Sequence, residues 1–272
     1  MSFVAREISQ QHGQPIRLYL FRRGAFRWAY CTADRDITVN NQIFKGNCQV
    51  SDEGIEFTGT SSIDTVTLTM PSSLELAQVY RGTAPSDKIY LTVWDYHYQD
   101  EDYLVSWMGA IYNVKFPEDH LAEVTCQSIS ASMDQPGLRL RWQRGCPYSL
   151  YDRRCKVDEV GFLTKGTVNS MSGLTINVAS AADFPAGWFA GGYLEWEIGQ
   201  GVFERRGIRN HSGASLIILG GTFGLSLGQS INYYPGCPRT MAACSNKFNN
   251  ILNYGGVSAL PGTSPFAGNP IF

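Results

Sequence analysis

Charge is the scarcest ingredient of this 272-residue chain. Asp, Glu, Lys and Arg together make up 17% of it, against about 25% in an ordinary soluble domain. The 24 acidic and 22 basic residues leave a formal net charge of -2. Without a basic excess, neither a dedicated nucleic-acid binder nor a membrane-surface protein is expected. Long hydrophobic runs are also missing. No stretch of about 18 apolar residues occurs, so no transmembrane helix and no membrane insertion are expected. The opening Met-Ser-Phe-Val-Ala-Arg-Glu-Ile has neither the basic nor the apolar region of a secretory leader. Synthesis and folding in a reducing cytoplasm are therefore expected, where structural disulfides are disfavoured. Disorder is argued against by the 43% hydrophobic and 12% aromatic content, which is enough for a core. A surface this poor in charge, in a chain with 28 Gly, points to burial against partners rather than water.

What is present is mostly β periodicity. Val66–Met70 alternates apolar residues with threonines, as a half-buried strand does. Similar runs cover Ile16–Phe21, Phe26–Cys31, Lys88–Tyr98, Tyr103–Val114 and Leu121–Ile129. Ile37–Val39 and Gln42–Phe44 flank Asn40-Asn41, a two-residue hairpin turn, since Asn tolerates positive φ. Helices are expected over Phe3–Gln11 and Ser72–Arg81, the second with a Ser72/Glu75 capping box and Gly82 as its stop. A short helix between long strands predicts a barrel or sandwich plugged at one end. Beyond residue 156 the texture becomes Gly-rich, with short strands at Leu174–Val178, Tyr193–Ile198, Val202–Ile208 and Leu216–Leu219. The expectation is a mainly β protein of two barrel- or sandwich-like modules with few short helices: an N-terminal domain (1–145), a smaller module (146–252) and an extended C-terminal tail (253–272). The Gly- and Pro-rich tail is expected to lie along a neighbour rather than its own chain.

Seven cysteines divide unevenly. Cys31, Cys48 and Cys126 are spread through the first β region and read as core thiols. Cys146 and Cys155 are separated by eight residues, Cys237 and Cys244 by six, and Gly-Cys-Pro recurs at Cys146 and Cys237. Gly and Pro beside a thiolate let the backbone wrap closely and turn its amides toward sulfur. The pairs bracket the second β module, so four thiols meeting at one point would close it like a clasp. Four thiolates suit a tetrahedral zinc ion or an iron–sulfur cluster. Gaps of eight and six fit a cluster's larger cage better than a zinc knuckle, and disulfides are the weaker alternative in a reducing compartment. Arg139, Arg141, Arg144, Arg153, Arg154 and Arg239 lie close in sequence and would offset the charge of a cluster, or else serve as surface arginines.

Cys-x8-Cys, a long gap and Cys-x6-Cys resembles the iron–sulfur-binding C-terminal region of the minor tail protein L of lambda-like phages. The segment Pro-Gly-Cys-Pro-Arg-Thr-x3-Cys-x2-Lys-Phe-Asn-Asn, followed by Asn253-Tyr254-Gly255-Gly256, is similar to the baseplate hub proteins of long-tailed siphophages, prophages and gene transfer agents. The resemblance is carried by 140–160 and 233–262, and only length and β content support it over 1–140. It implies a virion structural protein at the tail tip, a homotrimer linking the distal tail ring to the central fibre or tip protein. It implies that Cys146, Cys155, Cys237 and Cys244 ligate a [4Fe–4S] cluster, with zinc as the alternative. DNA would pass through the lumen without being read. The module over 157–232 is much longer than in the lambda protein.

The rival class is a tail-associated enzyme, a cell-wall hydrolase or a redox protein containing a cluster or zinc. His12, His97, His120 and His211 sit in no hydrolase motif, and His97 reads as a strand-surface residue. Asp100-Glu101-Asp102 reads as a solvated turn rather than a glycosidase carboxylate pair. Gly199-Gln200-Gly201 and Gly220-Gly221 lack the strand-to-helix setting of phosphate loops, and no flavin or nicotinamide signature accompanies the cysteines. A non-enzymatic protein is expected.

Overall fold

A computed structural model of the chain describes residues 3–9, 13–55, 64–100, 102–134, 137 and 140–260. The chain divides into two compact units, Met1–Pro136 with Ile198–Glu204, and Gly137–Glu197 with Arg205–Phe272. Among the described residues no helix is long and apolar enough to cross a membrane.

The first unit runs α1 (Phe3–Glu7), β1 (Pro15–Arg23), β2 (Phe26–Cys31), β3 (Ile37–Val39), β4 (Gln42–Phe44), β5 (Ser51–Asp52), β6 (Thr65–Pro71), α2 (Glu75–Val79), β7 (Tyr90–His97), β8 (Tyr103–Glu118) and β9 (Leu121–Ser128). Seven strands form one antiparallel sheet in the order β2-β1-β7-β8-β9-β6-β5, while β3 and β4 pair as a separate hairpin. Alternation decides which residues meet. From β1, Tyr19 and Phe21 enter an apolar cluster with Leu68, Met70, Leu91, Val93 and Val124. Leu18 and Leu20 point the other way, into a cluster with Ala29, Trp94 and Tyr96. α2 packs into the first cluster through Leu76, Ala77 and Val79, and the β3–β4 hairpin covers the second with Ile37, Val39 and Phe44. Because β1 is covered on both faces, residues 18–21 read as a continuous apolar run rather than an alternating one. The mainly β character and the short helix against the sheet match expectation, the first module being a seven-stranded sheet covered on both faces.

Local signals were obeyed where nothing tertiary competed. Asn40 and Asn41 take φ of 50° and 59° in the hairpin turn. The capping box did not form. The Ser72 hydroxyl instead donates to the Asp119 carbonyl at 2.5 Å and its N–H to that of His120 at 2.9 Å, so the β8–β9 turn holds it. α2 starts three residues late, with Leu74 at its N-cap and no side-chain cap. α1 covers Phe3–Glu7, and the expected end at Gln11 lies outside the described residues. His97 is buried rather than on the surface, 1% exposed. Its Nδ1 accepts the Gln14 N–H at 3.2 Å, its Nε2 lies 3.1 Å from Glu7 Oε1, and Phe3 packs on its ring. α1 shields that end of β7. Asp100 is likewise not a solvated turn residue. Its side chain is buried and pairs with Arg6 at 3.3 Å; Glu101 lies outside the described residues, as does His12. Cys31 and Cys126 are core thiols and Cys48 is half-buried against the first cluster.

A closed six-stranded barrel is built from β10 (Thr164–Ser172), β11 (Thr175–Val178), β12 (Tyr193–Gly199), β13 (Val202–Ser212), β14 (Ser215–Ile218) and β15 (Ser230–Tyr234), in the order β10-β11-β14-β13-β12-β15; its strands belong to the second unit except at the β12–β13 turn. Closure removes the exposed edges that six short strands would otherwise present. Val168, Ile176, Leu194, Trp196, Ile208, Ile231 and Tyr233 are buried. His211 is buried with its Nε2 at 3.0 Å from the Ala181 carbonyl and 2.9 Å from that of Gly213, the first of these in the short 3-10 helix Ala179–Asp183. β10 and β15 carry no strong sequence signal. β10 is Thr-Lys-Gly-Thr-Val-Asn-Ser-Met-Ser with only Val168 buried, so the hydrophobic alternation that marks other strands is missing.

In the first unit, Asp52 is a stability determinant that responds to acid. Arg17 donates to both of its oxygens, at 2.6 and 2.8 Å, and also to Asp95 at 3.1 Å, while the Tyr19 hydroxyl donates to Asp52 as well. Burial alone would raise the Asp52 carboxyl, but the hydrogen bonds from Arg17 and Tyr19 and the Arg17 charge outweigh it and hold it below the usual range. Its contribution is therefore complete above the ordinary carboxylate value of about 3.9 and is lost as pH falls through the lower folded-state value. Asp52→Asn should lower the urea midpoint at neutral pH and flatten its decline between about pH 4 and pH 2. An unchanged acid limb in the variant would show that other carboxylates carry it.

Candidate metal centre

The first cysteine pair lies on an irregular segment preceding the barrel. Cys146 follows Gly145, and its N–H donates to the Arg239 carbonyl at 2.9 Å, which ties it directly to the second pair's loop. Cys155 ends a tight loop organised by Asp152. That carboxylate accepts the N–H groups of Ser149 (3.2 Å), Arg154 (2.8 Å) and Cys155 (2.6 Å), an Asx-type arrangement that lets the chain turn without helix or strand. Tyr151 and Lys156 take φ of 67° and 59°, and the Tyr151 hydroxyl donates to the Pro235 carbonyl at 3.2 Å.

The second pair follows β15. Gly236 and Gly192 occupy positions where two backbones touch. A Cβ on Gly236 would overlap the Ala190 carbonyl oxygen, and one on Gly192 would overlap that of Tyr234. Cys237 then sits in Gly-Cys-Pro, with Arg239 at φ 59° so that its N–H points back to Cys237 Sγ at 3.4 Å. Cys244 is carried by α3 (Met241–Asn246), whose N-cap Thr240 accepts the Ala243 N–H at 3.3 Å.

These segments bring all four predicted cysteines to one cavity, with Tyr148, Leu150, Val157, Arg239, Thr240, Phe248, Asn253 and Tyr254 completing its lining. Cys146, Cys155 and Cys244 are 8–9% exposed, and Cys237 is half-buried. Cys155, Val157 and Phe248 form a small apolar cluster with Tyr148, Leu150, Tyr151, Phe162 and Cys237 against it, so one wall excludes water. The empty space is about 350 Å³ including its mouth, but the centre of a water molecule could move through only about 20 Å³ of it, about one water's worth. A bound group would therefore require the four side chains to rotate outward. Among the described residues no three His, Cys, Asp or Glu side chains converge tightly enough for a single metal ion. Four thiols around one cavity are the donor set that either an iron–sulfur cluster or a zinc ion uses.

The electrostatics show the same proximity. Burial pushes the Cys244 thiol up, and the neighbouring Cys155, Cys237 and Cys146 push it further. Of the six arginines expected to offset such charge, Arg239 lines the cavity. The Arg154 guanidinium stacks over Tyr148 at 6.0 Å, and Arg144 donates to the Leu260 carbonyl at 2.7 Å. Arg141 and Arg153 are exposed, and Arg139 lies outside the described residues. The half-buried cation beside the site is instead Lys247. Its Nζ donates to the carbonyls of Gly236, at 2.8 Å, and Trp188, and lies 4.4 Å from the Trp188 ring centroid. Burial pushes it down to about 8, with Cys237 pulling the other way.

Sequence reading missed two more residues. Asn250 reaches both cysteine pairs: its Nδ2 donates to the Cys155 carbonyl at 2.5 Å and its own carbonyl accepts from Cys244 Sγ at 3.2 Å. Tyr254 donates to the carbonyls of Arg144 (2.8 Å) and Arg239 (3.4 Å). Behind it, Gly255 lies where a Cβ would overlap the Tyr148 ring, and Gly256 where one would meet the Arg144 carbonyl oxygen and the Tyr254 ring. The Lys-Phe-Asn-Asn and Asn-Tyr-Gly-Gly strings were the available signal, because a polar amide followed by paired glycines marks close backbone approach. Residues 253–260, expected to leave the chain, instead lie against residues 143–148 of their own chain, with the Val257 N–H donating to the Gln143 carbonyl at 2.9 Å. Residues 261–272 lie outside the described residues.

A family model described as "Baseplate hub protein, N-terminal attachment domain" matches residues 19–158, and one described as "Phage conserved hypothetical protein BR0599" matches residues 187–264. An uncharacterized protein of Xylella fastidiosa (strain 9a5c) is 25% identical over 163 residues, which are 56% of this chain and 34% of that protein. The chain thus spans about a third of that relative. Among solved structures, a chain from the virion of a native gene transfer agent (GTA) particle superposes with a TM-score of 0.82 over 99% of this chain and 96% of its own, at 18% identity. That likeness is one of fold.

The backbone contact at Gly236 generates a prediction that is independent of any metal. Gly236→Ala should cost at least about 2 kcal/mol, because the new Cβ meets backbone that cannot rotate away. Gly191→Ala, with open space around it and φ of 75°, should cost only about 1 kcal/mol. Equal shifts of the thermal midpoint in the two variants would contradict the close approach.

Proposed function

Since the chain belongs to the baseplate hub family, matching its N-terminal attachment domain over residues 19–158, and is a structural component of a phage-type virion tail or baseplate, we propose that it is a homotrimeric hub of a siphophage-type tail tip carrying a [4Fe–4S] cluster. The observation that carries the cluster reading is the convergence of Cys146, Cys155, Cys237 and Cys244 on one cavity from segments flanking the barrel. Each cysteine would supply one thiolate. The Arg239 N–H already aimed at Cys237 sulfur, the apolar wall at Val157 and Phe248, and the Lys247 cation are the surroundings that stabilise anionic sulfur and shield it from water. When bound, the cluster would supply cross-linking of the two ends of the module and therefore folding energy. A single zinc ion is the less favoured occupant, because the gaps within the pairs, eight and six residues, are longer than those of a zinc knuckle.

The hub would join the distal tail ring to the central fibre or tip protein, with DNA passing through its lumen unread. The low charge fraction supports such an assembly, since surface poor in charge is suited to burial on neighbours. No catalytic role is assigned. His97 and His211 are both buried in packing contacts, and His120 is exposed beside Glu118.

Anaerobically purified protein should be brown and contain iron and acid-labile sulfide in equal amounts. Cys237→Ser and Cys244→Ser should lose both, whereas Cys48→Ser should keep both. A colourless protein with stoichiometric zinc would overturn the cluster reading. A monomeric mass by light scattering at all concentrations would overturn the homotrimer.

A further inference from the structure

We propose that Asn250 is the positioning residue of the four-cysteine centre, its side-chain amide donating to the Cys155 sulfur and thereby setting how readily the centre is reduced and how slowly it releases iron. This rests on the reading that the four thiols hold an iron–sulfur cluster.

Three contacts single out this residue. Its Nδ2 lies 2.5 Å from the Cys155 carbonyl and 3.9 Å from Cys155 Sγ, across 95 residues of sequence. Its backbone N–H donates to the Cys244 carbonyl at 2.9 Å, and its carbonyl accepts from Cys244 Sγ at 3.2 Å. Asn250 therefore touches one cysteine of each pair. The third contact fixes which way the amide faces: Asn253 Nδ2 donates to Asn250 Oδ1 at 2.6 Å, so the NH₂ group is left for Cys155. Asn249, at φ 46°, turns the chain so that Asn250 faces inward after α3.

The sulfur partners differ in kind. Cys155 and Cys237 each face an N–H donor, Asn250 Nδ2 at 3.9 Å and the Arg239 amide at 3.4 Å. Cys244 Sγ instead donates to the Asn250 carbonyl at 3.2 Å, so the Asn250 side chain is the tie to Cys155. A donor to a ligand sulfur stabilises the extra negative charge of the reduced centre, so removing it disfavours reduction.

The test compares wild type with Asn250→Asp, which keeps the shape and an oxygen for Asn253 but no donor, and with Asn250→Ala. In a redox titration dithionite supplies one electron to the centre, and no bond forms or breaks. The variants should be about tenfold harder to reduce, a fall of about 59 mV for one electron, and should release iron to a chelator about tenfold faster. In iron-free protein, alkylation of Cys155, mapped by peptide mass spectrometry, should be slower in both variants, because the attacking thiolate loses its donor, with Cys48 unchanged as an internal control. If wild type takes up iron and sulfide while both variants keep its potential, iron-release rate and Cys155 alkylation rate, the role of Asn250 is refuted and the cluster reading stands. If wild type takes up no iron, the cluster reading falls and this role falls with it. Asn250→Asp preserves side-chain volume, so the comparison survives misfolding of Asn250→Ala.

Discussion

Where Gly236 meets the Ala190–Gly192 turn, two stretches of main chain approach so closely that neither Gly236 nor Gly192 has room for a Cβ. Much of the second unit hangs on that contact. It fixes where the chain leaves β15, and hence where Cys237 stands relative to the loop of Cys155. The Tyr151 hydroxyl on the Pro235 carbonyl and Lys247 on the carbonyl of Gly236 brace the same spot from two further directions. Backbone carbonyls held by a phenol, a lysine and an asparagine replace the regular ladder that a strand would provide, which is how an irregular segment can be fully satisfied while half-buried.

The first unit depends on a different constraint. β1 has apolar side chains on both faces, so it needs two covers. α2 supplies one and the β3–β4 hairpin the other. The polar edge of the same strand is handled by charge. Arg17 sits between Asp52 and Asp95, and the buried Tyr19 hydroxyl finds Asp52 as its acceptor, so a large aromatic can be fully buried without stranding its polar end.

Much of this was legible in order along the chain. Strands over Phe26–Cys31, Ile37–Val39 and Gln42–Phe44, and the Asn40-Asn41 turn, follow from alternation and from tolerance of positive φ, both properties of neighbouring residues. Ser72 is the counterexample. Its spacing to Glu75 is that of a capping box, yet the turn at Asp119 and His120 offers its hydroxyl and N–H better partners. His97 misled for a related reason, because the helix that buries it belongs to the first residues of the chain. β10 escaped notice since a barrel strand with polar outward residues and one buried valine has almost no period to detect.

By itself the sequence determined which cysteines differ in kind: three spread through the first β region, and four in two pairs at spacings of eight and six, each pair opened by Gly-Cys-Pro. It also determined the mainly β character, since a period of two is written residue by residue. Only the tertiary structure decided that Cys146, Cys155, Cys237 and Cys244 share a cavity, that a half-buried Lys247 stands beside it, and that Asn250 touches both pairs. The physical reason is separation: Asn250 and Cys155 are 95 residues apart, and nothing local encodes a contact that exists only after six strands have closed into a barrel between them.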